Sequence, residues 1–175
     1  MSSRVHIREV NFLNNPAPYT EGFNVEIIFE VVEDLSGDLE WELIYVGDPA
    51  SEDGDQVLES VVVGPIKEGR HKFTLEASAP DSTKISQDDI RGCTVLILTC
   101  KYQDEKFVKV GYYVSVDYTE EELRETPPEP VDISKLERCV KINDVRVSHF
   151  AIKWADEEAS EVLQQPEEED IAMEE

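Results

Sequence analysis

The chain has 175 residues, with 40 Asp and Glu against 16 Lys and Arg, which gives a formal net charge of −24. This length predicts one domain with a tail, or two very small domains, and about 150 residues are enough to bury a core. The charge excludes attraction to bare nucleic acid and to anionic membranes, and it favours a basic protein as partner. The simpler alternative is that the acidic residues only keep the protein in solution.

The cysteines and the apolar runs limit the cellular setting. Cys93, Cys100 and Cys139 lack C-x-x-C spacing, which argues against a zinc site or a disulfide framework. Reduced cysteines suit the cytosol or the nucleus. The sequence shows neither the pattern of a signal peptide nor an apolar run near the roughly 20 residues that span a bilayer. We therefore expect a soluble intracellular protein without a cofactor.

Strand-like segments follow one another with little helix between them. Their spacing, with turn residues in between, predicts an antiparallel β-sandwich. Two short helices are predicted at residues 86–90 and 119–125. The second opens with a capping box from Thr119 to Glu122 and ends before PPEP (127–130). The predicted strands are residues 5–13, 23–33, 39–47, 56–66, 70–78, 92–102, 106–118 and 145–154.

The composition changes after Trp154. Residues 156–175 contain 10 acidic residues and no Lys or Arg. We expect a folded domain over residues 1–155 and a disordered acidic tail over residues 156–175. The tail is either a solvating segment or a specific docking segment, and the composition leaves both open. Ser160 stands in the acidic context that acidophilic kinases favour and is a candidate phosphorylation site.

The segment CTVLILTC (93–100) is apolar on both faces of the predicted strand. Side chains alternate between faces, so Cys93, Val95 and Ile97 share one of them. An antiparallel strand in a small domain needs only one apolar face for the core. The second apolar face therefore requires its own explanation.

The next predicted strand decides which face points outward. Its even positions, from Val108 to Val116, are all apolar and should face the core, whereas odd positions such as Phe107 and Tyr113 should face outward. A three-residue loop, Gln103–Glu105, would pair odd with odd positions, and a two-residue turn would reverse this.

The resulting surface would be an apolar strip of Cys93, Val95 and Ile97 beside Lys109 and Tyr113. Acidic segments at 47–55 and 87–89 could rim it. An apolar centre with a charged rim is typical of a protein interface. The alternative is that a loop or the tail covers the strip.

The following segments stand out together: DLSGDLEWELIYVG (34–47), DQVLESVVVGP (55–65), GRHKF (69–73), KVGYYV (109–114), YTEEELRE (118–125) and PP followed by DISKLER (132–138). In order and spacing they resemble the anti-silencing-function histone chaperones, over about residues 4–155. The resemblance implies an immunoglobulin-like antiparallel β-sandwich that binds a dimer of histones three and four. It also implies that the chain blocks tetramerisation of that dimer and transfers histones to and from assembly factors during nucleosome assembly and disassembly.

The same resemblance implies a monomer in the nucleus, with shuttling through the cytoplasm, and tousled-like kinases as partners of the tail. It assigns three binding sites residue by residue. The surface for histone three is Val46, Asp55, Asp89, Val95, Ile97, Lys109 and Tyr113. The site for the tail of histone four, expected to add as a β-strand, is Arg146, Val147 and Ser148 within residues 143–154. The groove for a basic peptide of assembly factors is Asp38, Phe29, Val61, Val63 and Phe73.

Three positions depart from the family pattern. Lys109 stands where the family more often has Arg, which weakens a bidentate contact. Cys93 replaces a more usual Val. Gly37 replaces a commonly acidic residue, and one carboxylate fewer predicts weaker binding of a basic peptide.

An enzyme finds little support in the residues. No GxSxG, P-loop, HExxH or GxGxxG motif is present, and the three histidines are far apart in sequence. The acidic segment SEDGD (51–55) lacks the ligand spacing of an EF-hand. We therefore expect no enzymatic activity. The alternatives to a histone chaperone are a generic acidic adaptor that binds basic partners by β-augmentation and an enzyme with a carboxylate site.

Overall fold

The computed structural model describes residues 3–48 and 54–154. These residues form nine strands and two short helices, α1 (Gln87–Ile90) and α2 (Glu121–Glu125), with 3-10 turns at Ser82–Lys84 and Ile133–Lys135. The predicted all-β fold with short connecting helices is confirmed. The strands are β1 (Val5–Phe12), β2 (Ala17–Pro18), β3 (Phe23–Val31), β4 (Leu39–Val46), β5 (Asp55–Val63), β6 (Gly69–Ala77), β7 (Gly92–Tyr102), β8 (Glu105–Tyr118) and β9 (Leu136–His149).

Two antiparallel sheets pack face to face. One has the strand order β1-β3-β6 and the other β2-β9-β8-β7-β4-β5. Alternate residues of β3, from Phe23 to Val31, are buried between them, as are the even residues of β7 from Leu96 to Cys100. Trp41 lies in this core, with its ring centroid 5.3 Å from that of Phe29. Each fully buried large apolar side chain contributes about 1.5–3 kcal/mol, so the alternating pattern fixes which face of each strand points inward.

The β7–β8 hairpin reaches the predicted pairing by another route. Its turn consists of two residues, Gln103 and Asp104, with φ values of 52° and 66°, the left-handed conformations of a type I′ turn. A two-residue turn alone would pair odd with even positions. One additional residue in β8, Phe107, shifts the register so that Cys100 lies opposite Val108. This bulge restores the pairing of odd with odd positions.

The same bulge reverses the prediction for Phe107 itself, which was expected to face outward. Phe107 is buried and packs edge-on against Trp154, with ring centroids 4.7 Å apart. Trp154 also stacks on Tyr102 at 5.2 Å. The chain that follows β9 is therefore anchored to the core at Trp154.

The last strand begins earlier and ends sooner than predicted, because β9 spans Leu136–His149 rather than residues 145–154. Its pairing with β8 is interrupted at residues 142–144, since Tyr113 lies opposite Lys141 whereas Tyr112 lies opposite Val145. The polar pair Asn143 and Asp144 lies within this interruption and is typical of a turn. For that reason the sequence did not indicate the first half of the strand. The two-residue β2 was too short to be recognised.

The predicted capping box of the second helix does not form. The residue that precedes α2 is Glu120, not Thr119, and its side chain makes no capping hydrogen bond. Instead, Arg124 donates from Nη1 to the main-chain oxygens of Tyr118 at 2.9 Å and of Thr119 at 3.0 Å. In α1, by contrast, the Ser86 hydroxyl oxygen accepts a hydrogen bond from the first turn, as expected of a helix cap.

A buried arginine joins β9 to the loop before β3. The Arg138 side chain is 1% exposed, and its guanidinium lies 3.8 Å from the ring centroid of Phe23. Burial lowers the pKa of Arg138 to about 10, so it stays protonated at neutral pH. Its Nη1 and Nη2 groups donate to four main-chain oxygens, those of Asn14, Pro18, Glu21 and Gly22.

Candidate functional site

A row of side chains crosses the outer face of the six-stranded sheet. Asp55 of β5 lies opposite Val46 of β4, and Val95 of β7 lies opposite Tyr113 of β8. The register of β4 with β7, continued by one residue, places Val46 beside Val95. Four of the residues predicted to bind histone three thus share one line across four adjacent strands.

The next row holds Ile97, Gly111 and Arg146, which lie opposite one another on β7, β8 and β9. A Cβ atom on Gly111 would have only ordinary contacts, with Val95 Cγ1 at 3.9 Å, so the glycine leaves a depression in this face. An open groove of ≈ 270 Å³ lies here, and we call it the strip groove. Its lining combines residues predicted for both histones: Val95, Ile97, Lys109, Tyr113, Arg146 and Ser148.

The strip groove has an apolar floor and cationic side chains along it. Val95 and Ile97 are half-buried. Burial raises the pKa of Tyr112, which also lines the groove, to about 12, so its phenol is neutral at physiological pH. The Arg146 guanidinium lies 5.9 Å from the ring centroid of Tyr113 and its Nε is 4.0 Å from Asp144. This arrangement can accept an apolar surface with polar groups at its margin.

The structure describes only part of the predicted acidic rim. Asp89 lies in α1, immediately before β7, and is half-buried outside the strip groove. Asp55 begins β5, at the same end of the sheet as the start of β7. Much of the acidic segment 47–55 falls on residues 49–53, outside the described residues.

The second half of β9 forms an edge of the sheet. β2 pairs only with Glu137 and Arg138. The Asn15 side chain then satisfies both main-chain groups of Val140, at 2.8 and 2.9 Å. Beyond residue 141, no strand within the described ranges pairs with the outer side of β9.

One hydrogen bond shows which backbone groups of this edge point outward. The Phe150 N–H donates to the Phe107 oxygen at 2.9 Å. Because inward and outward groups alternate in an antiparallel ladder, those of Val145, Val147 and His149 point away from β8. These N–H and C=O groups are available to an added strand.

The edge of β9 separates two grooves. Arg146 and Ser148 line the strip groove. Val147, which is 52% exposed, lines a second groove of ≈ 420 Å³ between β1 and β9. We call this the edge groove. The three residues predicted to bind the tail of histone four therefore divide between two surfaces. Most residues lining the edge groove are apolar: Val5, Ile7, Val10, Val108, Val110, Tyr112, Ile142, Val145 and Val147.

The residues predicted to bind an assembly-factor peptide meet around a tryptophan that the sequence did not single out. Val61 lies opposite Trp41 across β5 and β4, and the ring centroids of Trp41 and Phe73 are 5.6 Å apart. Val63 is two residues further along β5, near its end. Phe29 is 1% exposed, so it supports this cluster from within the core rather than forming its surface.

Asp38 sits exposed at the start of β4 and is held close to a glycine. Gly64 has φ of +152°, and a Cβ at this position would lie 2.6 Å from Asp38 Oδ1 and 2.9 Å from Asp38 Cα. Gly37, where the family more often has an acid, donates its N–H to the Tyr102 hydroxyl at 3.3 Å. A Cβ at residue 37 would lie 3.2 Å from Gln103 Nε2 and 3.2 Å from Cε1 of the buried Tyr102, so a side chain there requires both to shift slightly.

The described residues contain no group of three or more His, Cys, Asp or Glu side chains arranged to hold a metal ion. His71, the one histidine within the motifs above, stacks on Phe29 at 5.4 Å, and its Nε2 lies 2.7 Å from the Lys67 oxygen. The helices in the described part of the chain are all too short or too polar to cross a membrane.

Comparison with known proteins identifies the family. A family model described as "ASF1 like histone chaperone" matches residues 2–155. The chain belongs to this family. It is 53% identical over 158 residues to a Caenorhabditis elegans protein named "Probable histone chaperone asf-1". The matched region covers 90% of this chain and 58% of that relative. The ASF1-like family is one of chaperones, which confirms the family resemblance and the expectation of no enzymatic activity.

Other ASF1-like relatives come from distant organisms. The Drosophila melanogaster protein "Histone chaperone asf1" is 45% identical over 152 residues, covering 87% of this chain and 70% of the relative. The Xenopus tropicalis protein "Histone chaperone asf1b" is also 45% identical over 152 residues, covering 87% and 76%. The chain spans 58% and 64% of the lengths of two nematode relatives.

Proposed function

We propose that this chain is a nuclear histone chaperone that binds a dimer of histones three and four through the strip groove. Family membership supports the class of partner. The observation that carries the proposal is the continuous row from Asp55 through Val46 and Val95 to Tyr113 on an open face. The partner surface is an apolar helix face of histone three that otherwise packs against a second copy of that histone, so binding blocks tetramerisation.

In this arrangement the apolar floor supplies affinity, and the charged margin sets orientation. Val95 and Ile97 contact the histone helix, while Asp55 and Asp89 pair with histone Arg or Lys side chains. Lys109 lies where the family more often has Arg, so its contact with a histone carboxylate is monodentate.

A second contact uses the edge of β9. The tail of histone four adds as a strand to the outward-pointing backbone groups around Val147, in the manner of β-augmentation. Arg146 and Ser148, on the same strand, line the strip groove. One histone dimer can therefore engage both surfaces, and the second contact becomes intramolecular once the first has formed.

Size exclusion of the recombinant chain with refolded histones three and four at about 0.5 M salt tests this function, since exposed charges are largely screened there. We expect a complex of one chain with one copy of each histone. A dimer of histones two A and two B is the control. The generic acidic adaptor would be favoured instead if both histone dimers bound equally at low salt and neither bound at about 0.5 M salt.

We propose that the cluster around Asp38 receives a basic and apolar peptide of histone-assembly factors. Val61 and Val63 contact its apolar side chains, and the Asp38 carboxylate pairs with a cation. The two sites lie at opposite ends of the eight-residue β4, roughly 24 Å apart at about 3.4 Å per residue. An assembly factor and a histone dimer can therefore bind together, which is what transfer between them requires.

Replacing Gly64 with alanine should weaken binding of such a peptide about tenfold and leave histone binding unchanged. The added Cβ collides with Asp38 and displaces its carboxylate. Fluorescence anisotropy with a labelled basic peptide measures this. Gly69→Ala is the matched control, because Gly69 has a similarly positive φ of +133° but open space around its Cβ. Equal peptide binding by Gly64→Ala and the parent would show that the position of Asp38 does not matter.

Ser160 lies outside the described residues. Its phosphorylation by a tousled-like kinase therefore stays a prediction, as does the start of the tail at residue 156.

A further inference from the structure

The edge of β9 carries a charge opposite to that of the whole chain. Residues 141–154 contain Lys141, Arg146 and Lys153 against a single acid, Asp144, although the full chain has 24 more acidic than basic residues. The Arg146 side chain is 71% exposed, and its contact with Asp144 is long, at 4.0 Å. Glu9 in the edge groove and Glu105, whose Oε1 accepts the Lys153 N–H, add two carboxylates nearby, so any attraction for an acidic segment comes from the exposed cations and not from a net positive surface.

The same edge is apolar on its groove side, and no strand in the described ranges pairs with its backbone beyond residue 141. Val147 and Ile142, which line the edge groove, are 52% and 57% exposed. Such an edge is a template for one more strand. A fitting occupant is an extended segment that combines acidic residues with a short apolar stretch.

Residues 155–175 have this composition and directly follow Trp154 in the sequence. They contain 10 acidic residues, no Lys or Arg, and the adjacent apolar pair Val162 and Leu163. Trp154 is fixed against Phe107, whose main-chain oxygen bonds to Phe150 just after β9 ends. If the chain turned back after Trp154, a turn of about five residues would leave it long enough for residues 159–164 to reach the outward backbone groups of β9. Covalent linkage keeps the local concentration of this segment near the millimolar range.

We propose that the chain's own segment 156–170 binds the free edge of β9 and the edge groove. One of the adjacent residues Val162 and Leu163 enters the edge groove, since neighbouring side chains of a strand point to opposite faces, and carboxylates of the same segment pair with Lys141, Arg146 and Lys153. The tail thus covers the edge until a strand from a partner displaces it. Docking of the tail does not depend on the proposed function. Competition between the tail and a histone strand for the edge of β9 does rest on the proposed function.

A basic partner can drive such an exchange. Its Lys and Arg side chains compete with β9 for the carboxylates of the tail, so the tail leaves the edge as the partner arrives. The tail then contacts the partner's exposed cations while the partner's strand takes the edge. One segment would thereby protect an aggregation-prone strand edge and attract the histone that replaces it.

Amide hydrogen exchange followed by NMR, on the full 175-residue chain without histones, tests the docking. The probes are the outward N–H groups of Val147 and His149. At about 0.05 M salt they should exchange at least tenfold more slowly in the parent than in Glu167→Gln/Glu168→Gln/Glu169→Gln. The same loss of protection is expected in Val162→Ser/Leu163→Ser. The difference should shrink at about 0.5 M salt, where the attraction is screened.

The matched control neutralises three acids elsewhere, in α2, as Glu121→Gln/Glu122→Gln/Glu125→Gln. This variant should exchange like the parent. Equal exchange in the parent and both tail variants would overturn the inference, as would protection that rises with protein concentration, since that indicates a second copy at the edge. Protected amides in a chain that fails to bind histones would leave this inference standing and reject the proposed function.

Discussion

Replacing Arg138 with methionine should lower the free energy of unfolding by about 3–5 kcal/mol, the cost of leaving the partners of a buried charge unsatisfied. Four main-chain oxygens between β1 and β3 lose their donor, while methionine still fills the space of the aliphatic part of the side chain. For a domain of this size the melting temperature should fall by roughly 6–20 °C. Urea and thermal unfolding followed by circular dichroism measure both quantities.

Arg8→Met is the matched control for Arg138. Arg8 pairs with Glu30 on the outer face of the other sheet, with Nη2 2.9 Å from Oε1, and both side chains are substantially exposed. An exposed pair of this kind contributes about 0–1 kcal/mol. If Arg138→Met were as stable as Arg8→Met, the network around Arg138 would not hold the loop as described.

Replacing Val95 with arginine should weaken binding of the histone dimer roughly 10²–10⁴-fold, about 3–5 kcal/mol, because an unpaired guanidinium is buried against an apolar surface. Val95 is only half-buried in the free chain, so folding should be retained. A fluorescence titration with labelled histones three and four gives the dissociation constants.

Val32→Arg provides the same substitution at a site away from the strip groove. Val32 follows β3 on the other sheet and is 44% exposed. It should bind histones as the parent does. Equal dissociation constants for Val95→Arg and Val32→Arg would mean that acidic residues alone attract the histones.

The sequence predicted the faces of the strands well, because burial alternates with period two wherever pairing is regular. The outward face of β7 was predicted correctly from the apolar even positions of β8, but the odd-to-odd pairing that this required comes from the bulge at Phe107 and not from the expected three-residue loop. Prediction failed where one or more residues interrupt that period. Phe107 is a bulge residue and turns inward, and residues 142–144 break β9 into two halves, so its start at Leu136 was missed.

The candidate site was harder to predict from local pattern, because its rows form between strands that are distant in sequence. The resemblance to a family supplied Val46, Val95 and Tyr113, but only the register shows that they share one line. The depression at Gly111 depends on the absence of a side chain and leaves no apolar signal. The contact of Gly64 with Asp38 likewise depends on the register of β4 with β5, in which Leu39 lies opposite Val63, and no local motif encodes that register.

The most direct test of the central claim, that histone three covers the outer face of β7, is the reactivity of Cys93 in the complex. Cys93 is exposed on this face two residues before Val95, whereas Cys100 is buried, which raises its thiol pKa well above the usual range and makes it an unreactive internal reference. Mass spectrometry would follow alkylation of this chain with and without saturating histones three and four. We expect alkylation of Cys93 to slow at least tenfold in the complex. An unchanged rate at Cys93 in a stable complex would place the histone elsewhere and contradict the account.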